Sequence, residues 1–466
     1  MSLEVKDMNT KEKRSVDFAM LPFWAKELDS DSILLTNRFG GWAILSKDAY
    51  YSILSGQVSS DVRDLLRKSG LAITKENGEV VVERFRSLNQ HLFEDVGLHI
   101  MVVTTRCNLG CVYCQANSGD YADMDVETCA HIIKFMFDSH RQYITLEFQG
   151  GEPLLNWEVV RFATEKAVEW NNGIKNLKIA LVTNGTLLDE EKVDFLKRFD
   201  VGVCISYDGP KEVHDFNRKY LDGRGTYDDV IKAMGLVRLK RAKLSVITTI
   251  TRKSLEHAKK IVDAYVDMGF PVLAFRPMSH INILPEVWEE IGYDEDEFFS
   301  VYEEVIRYIL ELNRKGVRIK ERMMDNVVKK VLFGVDPHYV DMCSPCGAGR
   351  SVLAYMPNGD IYPCDESRML KDREMFRLGN VKTDTYDKIT GSDNVLNMAI
   401  SSSLDIVDPN NPYIAWTGTC PVYTYVETGS LIGACSMLRF HNRAIDLFFK
   451  FYPKYKKEFK GWQKMR

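Results

Sequence analysis

A chain of 466 residues with 45% hydrophobic and 27% charged side chains is too long for one hydrophobic core, so roughly two to four domains are expected. Its net charge of −5 excludes the basic surplus of a protein built around nucleic acid, and no apolar run nears the roughly 18 residues of a membrane helix. The first 17 residues are polar and hold no apolar signal stretch, so the ten cysteines point to metal or redox chemistry in the cytoplasm rather than to disulfides.

In chain order, residues 1–16 read as a lead-in and residues 17–92 as a small module. Two short apolar runs, 32–37 and 42–46, flank Phe39-Gly40-Gly41, a hairpin signal. Two helices are expected next, 47–54 opening after Ser46 and 60–68 closed by Gly70. The valine-rich residues 80–85 are expected as a further strand. Strands with two or three helices in so short a stretch suggest a winged-helix-like module. Its few basic residues, Arg63, Arg67 and Lys68, are interleaved with acids and read as a solvated face.

From residue 98 to about 278 strand and helix alternate. Strands are expected at 98–104, 144–148, 178–183, 201–207, 244–250 and 271–276, with helices at 126–139, 157–171, 190–199, 227–241 and 255–268. Continuous apolar runs read as buried parallel strands. Repeated right-handed βα units make an α/β sheet or barrel whose chemistry sits at the carboxyl ends of the strands. The first strand leads into Cys107, Cys111 and Cys114 at C-x3-C-x2-C spacing. Thiolates are the usual ligands of iron–sulfur clusters, and four fill a cubane. Three from one loop, with no fourth close by, leave one iron free to bind something else. Structural zinc sites usually pair two C-x2-C hooks, which this spacing lacks.

Polar motifs follow the next strands. After the second comes Gly150-Gly151-Glu152-Pro153. Its glycines let the backbone approach a ligand, and its carbonyls and carboxylate suit an ammonium. After the third comes the turn Thr183-Asn184-Gly185, and after the fourth Ser206-Tyr207-Asp208. A hydroxyl and a carboxylate two residues apart point to one side of a strand. Arg218 follows, and a guanidinium fits a carboxylate in bidentate fashion. Thr249 and Arg276, at the ends of strands five and six, are weaker candidates for the site, with core-edge polar residues as the alternative reading.

Together these motifs resemble the radical S-adenosylmethionine (SAM) superfamily, with Tyr113 in the aromatic place before the third cysteine. The resemblance implies a partial (β/α)6 TIM-like barrel over residues 97–290. It implies a 4Fe–4S cluster on Cys107, Cys111 and Cys114, whose open iron takes the amino and carboxylate groups of SAM. Reductive cleavage of SAM then yields a 5′-deoxyadenosyl radical. SAM contacts are implied for Tyr113, Gly150, Gly151, Glu152, Thr183, Asn184, Ser206, Asp208 and Arg218. No catalytic side chain is assigned beyond the cluster.

Residues 291–338 read as bridging helices. Cys343 and Cys346 come next, then a hairpin signal at Pro357-Asn358-Gly359-Asp360, then Cys364. With Leu378-Gly379-Asn380-Val381 and Cys420, residues 339–440 resemble the SPASM extension, a small α+β domain that carries auxiliary clusters in peptide-modifying members of the superfamily. That extension has seven cysteines, whereas this stretch has five, and Asp408, Asn411 and Thr417 stand in three of the usual places. The family's pairing implies one auxiliary 4Fe–4S cluster on Cys343, Cys346, Cys364 and Cys420, and no second. The Cys343–Cys346 gap is shorter than usual, which leaves Cys435 as the alternative to Cys343. Structural zinc on four thiolates is a further alternative. Cys129 and Cys204 read as buried apolar side chains, Asp365 and Glu366 as a solvated pair or an anchor for a substrate amine, and residues 441–466 as a helix docked by its aromatic side.

The resemblance implies an enzyme that abstracts hydrogen from a residue of a ribosomally synthesised precursor peptide. A thioether, carbon–carbon or carbon–oxygen cross-link, or a related modification, would follow, as in maturases of His-Xaa-Ser and cyclophane-forming systems. Implied partners are the peptide, with its leader added as a strand to the module at 17–92, and a reductase such as flavodoxin or ferredoxin. Neither nucleic acid nor membrane is implied. Two alternatives stand beside it. One is an anaerobic sulfatase-type maturase that makes formylglycine. The other is a zinc-binding winged-helix regulator without catalysis.

Overall fold

A computed structural model describes residues 18–116, 121–337, 342, 344–403 and 408–465. The described chain forms two compact units, residues 18–87 with 410–415, and residues 88–409 with 416–465.

The smaller unit holds an antiparallel sheet of Trp24–Glu27, Ser32–Thr36 and Trp42–Ser46, in that order. Ile33 and Leu35 pair with Leu45 and Ala43, and all four pack with Leu66, Leu71 and Ala72. The hairpin turn is built on Asn37, whose Oδ1 accepts the N–H of Gly41 at 2.8 Å while its Nδ2 donates to the Gly70 carbonyl. Gly41 has to be glycine, because a Cβ there would stand 2.5 Å from the Gly70 oxygen. Helix Lys47–Leu54 is capped by Ser46, and helix Ser60–Ser69 by Ser59. The second helix stops at Gly70, whose φ of 77° suits a residue without Cβ. The strand expected over 80–85 is instead part of helix Gly78–Leu88. Valines favour strands, but here Val80 and Val82 are exposed while Val81 and Leu88, two helical turns apart, are buried. Burial at helical spacing overrides the local preference.

In the larger unit, Leu98–Thr104, Tyr143–Gly150, Asn176–Thr183, Gly202–Ser206, Leu244–Ile250 and Phe275–Pro277 lie side by side in chain order, all parallel. This α/β architecture is a partial barrel. Met101, Phe148, Leu181 and Val203 stand in one row across four strands. They are essentially fully buried, and Met101 touches Cys129 of the covering helix Val126–Phe137. Residues one position along, such as Gln149 and Val182, face the barrel interior instead.

The single strand expected over 271–276 is split. Val272–Leu273 pairs with Lys320–Glu321, whereas Phe275–Pro277 pairs with the end of Leu244–Ile250. The segment changes partners midway because a second strand competes for its first half. Beyond the barrel, Val352–Tyr355 and Asp360–Tyr362 form the expected hairpin, with Gly359 at φ 91°. Val352–Tyr355 also pairs in parallel with the first barrel strand, Val352 beside Leu98 and Tyr355 beside Met101. One nine-stranded sheet therefore runs from the barrel into the cysteine-bearing C-terminal region.

Helices Glu295–Arg314 and Arg322–Phe333 follow the barrel, and the C-terminal helix Ser436–Trp462 packs on both. Its side chains Phe448, Phe449, Phe459 and Trp462 are buried, while Arg443 and Lys450 pair with Asp296 and Glu303 of the first of these helices. Pro453 removes one helical donor, and the turn after it breaks at Tyr455. No described helix is long and apolar enough to cross a membrane.

Candidate active site

A cavity of about 390 Å³ opens at the carboxyl ends of the barrel strands. Cys107, Cys111 and Cys114 form one wall of it. The loop that carries them is held down from below. Gly150 and Gly151 pass so close to its first residues that added Cβ atoms would stand 2.1 Å from the Thr104 oxygen and 2.3 Å from the Arg106 oxygen. The Gly151 and Glu152 amides donate to those same two carbonyls, at 3.0 and 2.8 Å. The paired glycines thus serve the approach of one protein segment to another, and they also line the cavity. Gly150→Ala forces a side chain into backbone at φ 153°. A cost of about 1–3 kcal/mol in local strain is expected, which, borne by the bound form when SAM holds the loop in place, weakens binding about 5- to 150-fold. Anaerobic titration calorimetry checks this.

Glu152 is fully buried and does not reach the cavity surface. Its carboxylate accepts from the Thr183 hydroxyl and the Asn184 amide, both at 2.7 Å, and from the Leu154 amide at 3.0 Å. Burial pushes its pKa up and these three donors pull it back. Glu152 is therefore a tie between the second and third strand ends. Asn184 continues the tie, donating to Asn108 Oδ1 at 2.9 Å, while Asn108 Nδ2 donates to Thr186. Thr183 and Asn184 also face the cavity.

On the far side of the cysteine loop, Asp208 is fully buried and organises a second group. Its Oδ2 accepts from the Tyr113 hydroxyl at 2.7 Å, from Arg218 Nε at 3.0 Å and from Asn217 at 3.1 Å; its Oδ1 accepts from the Thr249 amide. The Arg218 guanidinium lies over the Tyr113 ring, 5.2 Å from its centre, with Nη1 3.9 Å from the Cys111 sulfur. Burial alone would lower the Arg218 pKa, but Asp208, then Tyr113 and Cys111, raise it on balance, so the cation is kept. Burial also pushes the Cys107 thiol up to about 11 and Cys111 up to about 12, the latter moderated by Arg218.

Of the residues singled out for SAM, Tyr113, Gly150, Gly151, Thr183, Asn184, Ser206 and Arg218 line the cavity, whereas Glu152 and Asp208 stand behind its wall. Ser206 lines the cavity and Asp208 does not; the strand ends at Ser206, so strand alternation does not carry on to Asp208. The weaker candidates Thr249 and Arg276 also line the cavity. So does an aromatic wall that sequence reasoning missed, made of His280, Trp288, Tyr293, Tyr423 and Phe440. His280 meets Trp288 and Tyr423 edge to face, with ring centres 6.0 and 5.5 Å apart. Hairpin and helix signals do not mark such a wall. Residues 280–293 hold only Trp288 and Tyr293 among Phe, Trp and Tyr, no more than the chain's 11% leads one to expect.

Asp365 and Glu366 are partly buried rather than solvated. Asp365 pairs with Arg368 at 2.6 Å, and Arg368 in turn donates to Gln149 on the second strand. Glu366 lines the cavity 3.6 Å from Arg276. Cys129 is fully buried, and Cys204 is half-buried inside the barrel.

Cys346, Cys364 and Cys420 share one apolar cluster with Cys435, and Cys420 also reaches the cavity. Cys343 lies outside the described residues. Among the described residues no three His, Cys, Asp or Glu side chains stand close enough to hold a single metal ion. Both thiol sets nevertheless have the donor chemistry of an iron–sulfur site, soft sulfur ligands with amide N–H groups directed at sulfur, and the second set lies in apolar surroundings. Leu109 N–H points at Cys107 Sγ and Ala348 N–H at Cys346 Sγ, each at 3.4 Å.

The profile of the Radical SAM superfamily matches residues 101–265. A cysteine-type anaerobic sulfatase-maturating enzyme of Clostridium perfringens is 28% identical over 308 residues, covering 63% of this chain and 80% of that protein. The antilisterial bacteriocin subtilosin biosynthesis protein AlbA of Bacillus subtilis is 25% identical over 300 residues, covering 62% of this chain and 58% of AlbA. In fold, the chain is similar to native anSMEcpe with bound AdoMet and Cp18Cys peptide, with a TM-score of 0.69 and 22% identity over 79% of this chain and 99% of that one. The family match removes the non-catalytic regulator and brings SAM and a 4Fe–4S cluster as cofactors. With its cysteine loop at the mouth of a parallel partial barrel and its ties below that loop, the stretch over residues 101–265 is a radical SAM domain.

Proposed function

We propose that this protein modifies a ribosomally synthesised precursor peptide by hydrogen abstraction, installing a thioether, carbon–carbon or carbon–oxygen cross-link or a related change. The cluster and SAM supply the 5′-deoxyadenosyl radical that such chemistry needs. Cys107, Cys111 and Cys114 hold the cluster, and Arg218, kept charged by Asp208, takes the SAM carboxylate. The observation that carries the reading is the reach of the cavity. It continues from the three cysteines past the SAM residues to the aromatic wall and the Glu366–Arg276 pair, which leaves room for an amino-acid side chain beside the cofactor. The aromatic wall keeps water from the radical and grips an apolar residue, while Glu366 and Arg276 offer opposite charges to backbone or side-chain groups next to it. The likeness to AlbA supports a peptide substrate. The sheet of the smaller unit, with Trp24–Glu27 and Trp42–Ser46 as its outer strands, suits a leader that adds as a strand. A flavodoxin or ferredoxin would deliver the electron in the cytoplasm.

The likeness to the sulfatase-maturating enzyme favours a second reading, oxidation of a cysteine or serine to formylglycine. An anaerobic assay with reductant separates the two. The full precursor peptide is expected to stimulate 5′-deoxyadenosine release and to lose two hydrogens per cross-link. The core segment alone is expected to turn over poorly until the leader is added in trans. Equal turnover of a leaderless peptide with aldehyde formation would establish the sulfatase type, and no 5′-deoxyadenosine under any condition would sink both.

A further inference from the structure

The cavity at the strand ends is lined by acids and arginines, and nearly all of them are answered within the protein. Asp294 accepts the Glu297 amide at 2.8 Å, and Glu295 pairs with Arg439 at 3.3 Å. Glu321 accepts from the Tyr302 hydroxyl and from the Met323 and Met324 amides. Glu366 stands 3.6 Å from Arg276, and Asp208 holds Arg218. Arg322 is the exception. It lines the cavity half-buried, and among the described residues no hydrogen bond or ion pair meets its guanidinium.

We propose that Arg322 is a specificity-determining residue that takes a carboxylate of the substrate, either an Asp or Glu side chain near the residue that loses hydrogen or the carboxylate at the end of the peptide. The inference deepens the peptide-modifying reading and rests on it for the source of that carboxylate.

A guanidinium keeps its charge in a protein, and its planar fork fits a carboxylate with two parallel hydrogen bonds. An unanswered charge in a half-enclosed cavity costs free energy, which a guest of opposite charge returns. A guest cation would find the acids of the wall already engaged. The Arg322 charge also acts inside the barrel. Burial pushes the Glu147 carboxyl of the second strand up, and Gln149, then Arg322 and Arg276, pull it back. Burial likewise pushes up the Cys204 thiol of the fourth strand, with Ser245, Arg322 and Arg218 acting against it. Arg322 therefore shares the interior with Arg218. Glu147 does not answer it, because that carboxylate accepts from Gln149 at 2.7 Å and lies behind the cavity wall. The amides at the start of helix Arg322–Phe333 are no substitute, since Glu321 already takes two of them. An anion at this wall depends on the side chain itself.

The test uses full-length protein, reconstituted without oxygen and loaded with SAM so that Arg218 is occupied. Phenylglyoxal labels accessible guanidinium groups, and mass spectrometry of the digest reads each arginine. Arg322 is expected to label faster than Arg218. N-acetylglutamic acid α-amide stands for a side-chain carboxylate, N-acetylglycine for a chain end, and N-acetylglutamine amide for the neutral control. At least one of the carboxylates is expected to slow labelling of Arg322, which names the source, while the neutral amide leaves it unchanged. Labelling no faster than that of Arg218, equal protection by the amide, or protection by neither carboxylate overturns the proposal. This arm needs no variant and no turnover. In the 5′-deoxyadenosine assay, Arg322→Gln is expected to raise the KM of the precursor peptide about 10- to 150-fold, with a smaller change in kcat. Replacing the bound carboxylate of the peptide by an amide is expected to raise KM as much for wild type and not at all for Arg322→Gln. Additive losses overturn the proposal. Carboxylate-selective protection in a wild type that modifies no peptide would sink the peptide reading and leave the carboxylate site standing.

Discussion

Cys111→Ala is expected to release no detectable 5′-deoxyadenosine and to carry about four irons per chain instead of about eight, whereas Cys420→Ala retains SAM cleavage. The three cysteines of the first loop are the only sulfur ligands the barrel offers among the described residues that line the cavity near Arg218. Cys111 sits deepest in that relation, its sulfur 3.9 Å from the guanidinium. Losing one of three thiolates leaves two, too few to hold a cubane that already has an open corner. Cys420 packs against a different apolar cluster, with Cys346, Cys364 and Cys435, so its loss is expected to disturb the auxiliary site and slow turnover without touching the step at the first. Anaerobic iron analysis with chromatographic detection of 5′-deoxyadenosine reads both effects. Cleavage at wild-type rate by Cys111→Ala would end this account of the loop.

The second large effect is expected at a residue that touches no cofactor. Asp208→Ala leaves a buried guanidinium without its counter-charge and removes the acceptor for Tyr113, Asn217 and the Thr249 amide. Breaking a buried pair by removing one partner costs about 3–5 kcal/mol. The melting temperature should drop by several degrees, and SAM affinity should fall with it because Arg218 and Tyr113 lose their fixed positions. Asp208→Asn restores an acceptor for Tyr113 but no charge for Arg218. It is expected to recover part of the stability and little of the SAM affinity. Calorimetric melting and anaerobic binding separate the two contributions. An alanine variant that melts and binds like wild type would show that the pair is not the keystone its burial indicates.

Much of the barrel was legible because its signal is local. Leu98–Thr104 and Leu244–Ile250 are apolar runs with turn residues on both sides, and their ends fall where periodicity places them. The cysteine spacing was legible for the same reason, since one loop carries all three. Gly150-Gly151-Glu152 was legible as important, but its glycines meet protein backbone and its carboxylate is enclosed by protein donors. A motif string records that close approach is needed and not what approaches. The split at residues 272–277 and the parallel pairing of Val352 with Leu98 were not legible. Both depend on which distant strand arrives, and a single strand carries no mark of its partner. The aromatic wall escaped for a related reason. Its members come from connecting segments and helix ends, where neither period applies.

The hairpin laid along the first barrel strand bears on how electrons would pass between the two candidate cluster sites. Cys107 and Cys364 each lie a few residues beyond a strand of one hydrogen-bonded sheet. With both clusters bound, the spacing between them would be set by hydrogen-bonded strands rather than by a connecting loop, so a guest could alter the electron's passage by changing the potentials at its ends and not by closing the gap.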